Sequence, residues 1–460
     1  MPSCVRSTLR PYEKKQGDRG LTHWLLLSFG YKMHILKIIH GYPPHYNAGS
    51  EVYSQSVCNE LSKEHRVSVF TREENLYAPD FSVRKESRQP NLDLYIVNNP
   101  QGKDGYRHEQ MDRVFEDLLQ ELKPDIAYIG HLNHLSTGLV EVLHRHHVRI
   151  VYMLHDFWLM CPRGQFLTRS IGRDCNFMLC DRQEDVRCAE RCYEVYFSGY
   201  AEDREQDIAR WSTWVGQRMQ HIRDVVSKVD LFIAPAKFLM NRYVQEFGIP
   251  QEKMLYLDYG FPTNYLDKKL LSSTPREVFT FGYIGTHIPA KGVNLLLEAF
   301  ASLPAAAALR IYGRPNGQST KALQEIASGL PQHLRVVFCG EYNNEQLVPE
   351  VFNQVDGIVV PSIWAENSPL VIHEAQACHI PVITADYGGM AEYVAHHQNG
   401  LLFRHRDSAS LAEQMLWAVQ HPAEFRALGR RGYLYSAEGS VPDIVQHCTT
   451  LVNIFEDVRA

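Results

Sequence analysis

From Met33 onward the chain alternates short apolar runs with longer stretches whose apolar residues recur at helical spacing. MHILKIIHG is an apolar run of strand length, YPPHYNAGS is rich in turn formers, and EVYSQSVCNELSKE has helical periodicity before a second run, HRVSVFTRE. Strand, loop, helix and strand in that order open a βαβ unit. Further parallel strands are predicted at Leu94–Val97, Ile126–Ile129, Ile150–Leu154 and Leu231–Ala234, with helical segments between most of them.

The pattern breaks over Phe261–Glu277, where FPTNYLDKKLLSSTPRE is polar and interrupted by prolines, and then starts again. The second series reads VFTFGYIG, ALRIYG, RVVFCG, GIVVPS, PVITA and GLLF, each separated by a helix-length segment. The expected fold class is therefore α/β, with two Rossmann-like doubly wound domains facing each other across a cleft. Ligands in such folds sit at the carboxyl ends of the strands.

Composition agrees with two domains: 460 residues, 45% hydrophobic and 22% charged, exceed what one core usually serves. A formal charge of −6 gives no global reason to expect nucleic acid as a partner. No apolar run approaches the roughly 18–20 residues that span a bilayer. Residues 1–32 make a poor signal peptide, because the charged stretch is long, the apolar segment HWLLLSFGY is short, and no small-residue cleavage site follows. They are expected to be a disordered extension or an upstream start-codon artefact, with Met33 as the functional start. Of ten cysteines, Cys161, Cys175, Cys180, Cys188 and Cys192 share one segment. A structural zinc site is one reading of them. Free buried thiols in a reduced, cytoplasmic protein fit better, since the compact C-x2-C knuckle is missing and disulfides suit oxidising compartments.

The candidate chemistry is densest in PSIWAENSPLVIHEAQACHIPVITADYGG, Pro361–Gly389. Ser368 is a favoured N-cap type, Pro369 suits the first helical position, and Leu370, Val371 and Ile372 are apolar enough to be buried. A helix start offers free N–H groups and the positive end of a dipole to a phosphate. Glu374 lies five residues beyond Pro369, about 7–8 Å along the axis, the reach from a diphosphate to a ribose. Glu366 precedes the helix, where a sugar attached to the diphosphate would lie. In the first βα turn, Gly49 sits in a small-residue loop suited to close approach, although a plain strand-to-helix turn looks the same. His155 follows an apolar strand directly, and Asp156 beside it either orients the imidazole or caps the next turn, the second being preferred. Gly285 allows close backbone approach after a strand, and Lys291 can neutralise a diphosphate.

The Glu366-x7-Glu374 spacing, followed by HIPVITADYGG and Glu392, resembles the E-x7-E signature of family 4 retaining glycosyltransferases of the GT-B fold, the glycosyl transferases group 1. YMLHDFWLMCPRG resembles their segment with a histidine that contacts the donor sugar. The likeness covers nearly everything from Met33. It implies a hexosyl- or related glycosyltransferase that moves a sugar from a UDP- or GDP-sugar to a carbohydrate or lipid-linked acceptor. Polysaccharide, glycolipid or glycoconjugate biosynthesis is the implied setting, with no cofactor or metal required. Residues 33–262, with a Cys-rich insert at 161–210, would be the acceptor-side domain and 263–440 the nucleotide-sugar domain. Residues 441–460 would form a helix crossing back to the first.

The resemblance further implies that Glu366 positions the donor sugar, that His155 contacts it, and that Glu374 holds the ribose. Lys291, Arg314 and the start at Asn367, Ser368, Pro369 and Leu370 would meet the phosphates, while Gly313 and Glu341 would cradle the base. Two departures stand out: Ala48 replaces one of two glycines in the first loop, and Thr286 stands where the family usually has Arg. A phosphorylase or epimerase on the same scaffold, or a non-catalytic sugar-nucleotide binder, are the rival readings. HRHHVR, His144–Arg149, is a candidate for peripheral contact with the inner face of a membrane.

Overall fold

The computed structural model describes residues 33–99, 105–169, 177–266 and 276–460. The expectations for residues 1–32 and Cys175, and part of the 261–277 break, lie outside them.

In the first half the strands are β1 His34–Ile38, β2 Arg66–Glu73, β3 Val83–Gln89, β4 Leu92–Asn98, β5 Ile126–Ile129, β6 Arg149–Met153, β7 Leu231–Ala234 and β8 Met254–Tyr256. They form one sheet in the order β3-β4-β2-β1-β5-β6-β7-β8, parallel throughout except that β3 runs antiparallel on the edge. Two of these strands escaped the sequence reading for physical reasons. VRKESRQ in β3 is polar and almost wholly exposed, as an edge strand tolerates, and β8 is only three residues long.

The second half contributes β9 Thr280–Ile284, β10 Ala307–Tyr312, β11 Leu334–Gly340, β12 Gly357–Val360, β13 Val382–Ala385 and β14 Gly400–Phe403. These pair in parallel as β11-β10-β9-β12-β13-β14. Strand order reverses beside β1 in one sheet and beside β9 in the other, which opens a crevice at the carboxyl ends of both.

The chain returns to its first half at the end. Helix Ile444–Arg459 packs on helix Gly49–Leu61, with Tyr53 Oη 2.7 Å from His447 Nε2, and the Tyr128 and Phe455 rings 5.3 Å apart. Arg459 donates to Asp125 at 2.9 Å. Glycine is required where the connecting chain passes this helix, because a Cβ on Gly260 would lie 2.3 Å from His447 Cβ.

Candidate functional site

A cleft among the described residues lies between the two sheets. Its first wall carries the loop Asn47–Val52 together with His40, His131, Asn133, His155 and Asp156. The second carries Lys291, Trp364, Glu366, the turn Asn367–Pro369, Leu370, Val371 and Glu374. The two acids picked from sequence therefore share one cavity with His155.

Their environments differ. Glu366 Oε1 accepts three hydrogen bonds, from Lys291 Nζ at 2.7 Å, Ser362 Oγ at 2.6 Å and Trp364 Nε1 at 2.9 Å. Glu374 is buried, yet no hydrogen bond or ion pair among the described residues reaches its carboxyl. Burial pushes that carboxyl up to about 7 from an ordinary 4.5, with His373 opposing weakly. A buried acid without partners costs stability, which makes Glu374 a candidate ligand-binding group.

The helix between these acids starts one residue later than the sequence suggested. It runs Leu370–Ala377, with Pro369 in the N-cap position and no side-chain cap. The Ser368 hydroxyl instead donates to Asp258 Oδ1 at 2.9 Å. Asp258 is a buried carboxylate that also takes His373 Nε2 at 2.9 Å and Tyr433 Oη at 2.6 Å. Such an ion outcompetes the helix for a hydroxyl, so no side chain caps the helix start, where Ile372 N–H donates to the Pro369 carbonyl at 3.0 Å. The loop before the helix is pinned by Gly389, whose N–H donates to the Glu366 carbonyl at 2.7 Å; a Cβ there would overlap the Asn367 carbonyl.

Contacts across the cleft hold it narrow. Asn367 Nδ2 donates to the carbonyls of Leu154 at 3.2 Å and His155 at 3.3 Å, so its side chain joins the halves and its Oδ1 stays buried without a partner. A Cβ on Gly49 would stand 3.5 Å from Leu370 Cδ1, so loop and helix start nearly touch. Glu392, the last acid of the motif, accepts from Lys237 N at 2.9 Å and from Phe238 N, tying the start of the Lys237–Arg242 helix to the second half.

His155 is half-buried, with Nδ1 2.6 Å from Tyr259 Oη and a buried Nε2 that has no partner among the described residues. Burial first, then Lys37, His131 and His40, hold it well below the ordinary 6.5, so the imidazole is neutral near pH 7. Asp156 does not orient it. Its Oδ1 accepts from Trp158 N at 2.8 Å, the turn-capping role, and its Oδ2 faces His131 Nε2 at 3.3 Å. Asn133 N donates to His131 Nδ1 at 2.9 Å, which places the His131 proton on Nε2, toward Asp156.

Sequence reasoning missed His40, His131, Asn133, Tyr259, Tyr342 and Asn344, which also line the cavity. Gly285, Gly313, Arg314 and Glu341 stand just outside its lining. Gly285 N donates to Tyr312 O at 3.1 Å and Gly313 N to Gly340 O at 2.8 Å, while Arg314 Nε and Glu341 Oε1 face each other at 3.9 Å, well exposed. Cys161, Cys180, Cys188 and Cys192 are free thiols, and among the described residues no three His, Cys, Asp or Glu side chains come together as a metal site. In HRHHVR, Arg145 and His146 both pair with Glu116, and Arg149 with Asp230, so the segment is not a free basic patch. No helix of the described residues is long and apolar enough to cross a membrane.

Two Rossmann-like halves around a cleft, with a helix start and acids on one wall and histidines on the other, make a two-domain α/β protein of the GT-B class. The Glycosyltransferase Family 4 model matches residues 47–261 and the Glycosyl transferases group 1 model residues 268–434, and the chain belongs to this glycosyltransferase family. It is 36% identical over 222 residues to a D-inositol 3-phosphate glycosyltransferase of Rhodococcus opacus (strain B4), covering 45% of this chain and 49% of that protein. A protein of the same name from Nocardia farcinica (strain IFM 10152) is 34% identical over 230 residues, 47% and 50% of the two chains. The chain thus spans about half the length of the curated relatives it matches. Among solved structures, sucrose-phosphate synthase (tll1590) from Thermosynechococcus elongatus superposes with a TM-score of 0.66 at 16% identity, covering 93% of this chain and 99% of that one. Anabaena Alr3699/HepE in complex with UDP and glucose gives 0.61 at 16%, with 92% and 100% covered. Both share the fold.

Proposed function

We propose that this chain is a retaining glycosyltransferase that moves a hexose or related sugar from a UDP- or GDP-sugar to an acceptor hydroxyl, without a metal. One observation carries the reading: a helix start without a side-chain cap is flanked by Glu366, whose Oε1 takes three donors, and by the buried Glu374, whose carboxyl has no partner among the described residues, opposite the neutral His155. The relatives' names as glycosyltransferases, and a fold neighbour that holds UDP and glucose, support it.

In this reading residues 263–440 hold the donor and 33–262 the acceptor. The diphosphate lies on the N–H groups at the start of Leu370–Ala377, and Lys291 swings from Glu366 to a phosphate oxygen. Glu374 accepts the ribose hydroxyls in its ionised form. As the bond from the anomeric carbon to the diphosphate oxygen breaks, negative charge gathers on the diphosphate, where Lys291 and the helix start meet it. Positive charge gathers on the sugar, where Glu366 meets it, and His155 fixes the sugar's orientation. The acceptor hydroxyl attacks from the face the diphosphate leaves and passes its proton to the departing diphosphate oxygen, so configuration is retained. A cytoplasmic setting and a carbohydrate or lipid-linked acceptor belong to the same proposal.

The test is release of UDP or GDP from a panel of sugar nucleotides, with and without acceptor sugars. Turnover of one donor that Glu366→Gln abolishes is the expected result. Tight nucleotide binding with no turnover by any donor would instead favour a non-catalytic binder, a reading that Thr286, in the place of the family's Arg, keeps open.

A further inference from the structure

Two consecutive residues of the connecting chain hold opposite walls of the cleft. The chain leaves the first sheet after β8, where Leu257 N still donates to Ala234 O at 3.1 Å, and the next two residues are Asp258 and Tyr259. The Asp258 carboxylate lies against the second half. Besides the Tyr259 N–H at 2.8 Å, it meets Ser368 Oγ at 2.9 Å, His373 Nε2 at 2.9 Å and Tyr433 Oη at 2.6 Å, all from that half. The Tyr259 hydroxyl turns the other way, to His155 Nδ1 at 2.6 Å, and the two rings stack with centroids 5.6 Å apart.

These bonds form one series, from the helix Leu370–Ala377 through Asp258, across a single peptide unit, to Tyr259 and His155. On the helix, His373 is held from three sides: by Asp258 at Nε2, by the Pro369 carbonyl 3.2 Å from Nδ1, and by the Phe261 ring stacked 4.9 Å from its own. Burial opposes ionisation of Asp258, but the His373 ring and the hydroxyls of Tyr433 and Ser368 keep its carboxyl below the ordinary carboxylate range. The residues that follow are fixed as well, since Phe261 N donates to Pro442 O and Ile444 N to Phe261 O, both at 2.9 Å. Asp258 stands outside the cavity lining, so it reaches a ligand only through the residues it holds; Tyr259 lines the cavity with its hydroxyl engaged.

We infer that Asp258 and Tyr259 are paired positioning residues: Asp258 sets the helix start that meets the nucleotide's diphosphate, Tyr259 sets the imidazole that meets the sugar, and the peptide unit between them fixes the offset. This rests on the glycosyltransferase reading of the cleft. A diphosphate and its sugar are joined by one bond, so the groups that receive them must keep a constant separation, and a misplacement of about 1 Å can cost on the order of a hundredfold in rate. Hydrogen bonds made directly between the halves can part when the cleft opens. Neighbours along one chain cannot.

The experiment uses the full chain. Calorimetric titration of UDP and GDP, steady-state turnover at saturating sugar nucleotide, and Tm are measured for the wild type, Tyr259→Phe, Asp258→Asn and Tyr433→Phe. The expected result is a split between neighbours. Tyr259→Phe keeps the ring but loses the bond to His155, and should lower kcat about tenfold with the nucleotide Kd within about twofold of the wild type. Asp258→Asn should raise that Kd about tenfold or more, and Tyr433→Phe, which removes one donor from Asp258, about threefold. Should Asp258→Asn fail to fold, Tyr433→Phe decides that arm. Turnover by the wild type tests the glycosyltransferase reading by itself; its absence would remove the Tyr259 half of the inference, while the titrations still judge Asp258. Variants with lowered Tm but unchanged Kd and kcat, or a Tyr259→Phe that loses nucleotide affinity and keeps kcat, would overturn the inference.

Discussion

The two walls of the cleft solve opposite electrostatic problems. The second wall presents a helix start without a side-chain cap, one lining ammonium and two acids, one holding three donors on its Oε1 and the other without a partner among the described residues. The first presents three histidines, two of them backed by acids, and no lining cation among the described residues. A wall built to receive charge leaves hydrogen-bond donors and a titratable group unspent. The first wall spends its acids on its own histidines. The same contrast separates Glu366 from Glu374, which share a helix start yet differ in how far the protein itself supplies their hydrogen-bond partners.

The contrast breaks most sharply at Glu366. Glu366→Gln should cut turnover by roughly a hundredfold or more while leaving nucleotide affinity nearly unchanged, because the acid works on charge that develops only as the sugar departs. Steady-state rates and calorimetric titration of the nucleotide separate the two effects. Equal losses in both would put Glu366 in ground-state binding instead.

Glu374 should leave a signature in the ligand-free protein. Its folded-state pKa, about 7, exceeds the ordinary 4.5, so the native state binds more protons than the unfolded chain between those values. Its effect on stability is therefore most favourable below pH 4.5 and is lost as pH rises through 7, by an amount on the order of 3 kcal/mol. Glu374→Gln should flatten this part of the Tm-against-pH curve and raise Tm at pH 8. A variant curve parallel to the wild type would mean that water already satisfies the acid.

The same residue should cost affinity when a ligand is present. Glu374→Ala should weaken nucleotide binding about ten- to a hundredfold, the worth of hydrogen bonds to an ionised group, with a smaller change in turnover at saturating donor. The smallest expected effect lies between the walls. Asn367→Ala removes the hydrogen bonds to the Leu154 and His155 carbonyls and should cost about 1 kcal/mol in urea denaturation, with a raised KM for donor as the halves part more easily.

Much of this was legible in the chain. Strands buried on both faces are continuous apolar runs, so the expected strands of both sheets, GLLF included, appear where the pattern put them. The strands that escaped were a polar edge and a three-residue piece, which leave no such run. On the second wall the site was legible because one short segment supplies both acids and the helix start. The first wall was not, because it is assembled from the ends of three strands far apart in sequence, and only pairing brings His40 and His131 beside His155. Their common offset past an apolar run was the available signal. The Ser368 hydroxyl was misassigned because Asp258, 110 residues away, claims it. Asp156 went as expected, to a turn.

The most direct measurement is calorimetric titration of UDP and GDP, each beside its 2′,3′-dideoxy analogue, into the wild-type chain and Glu374→Ala. The account predicts that one nucleotide binds the wild type, loses affinity about tenfold or more without its ribose hydroxyls, and shows no such difference in the variant. If the variant still discriminates the hydroxyls as the wild type does, Glu374 does not hold the ribose and the donor does not lie along the second wall as described.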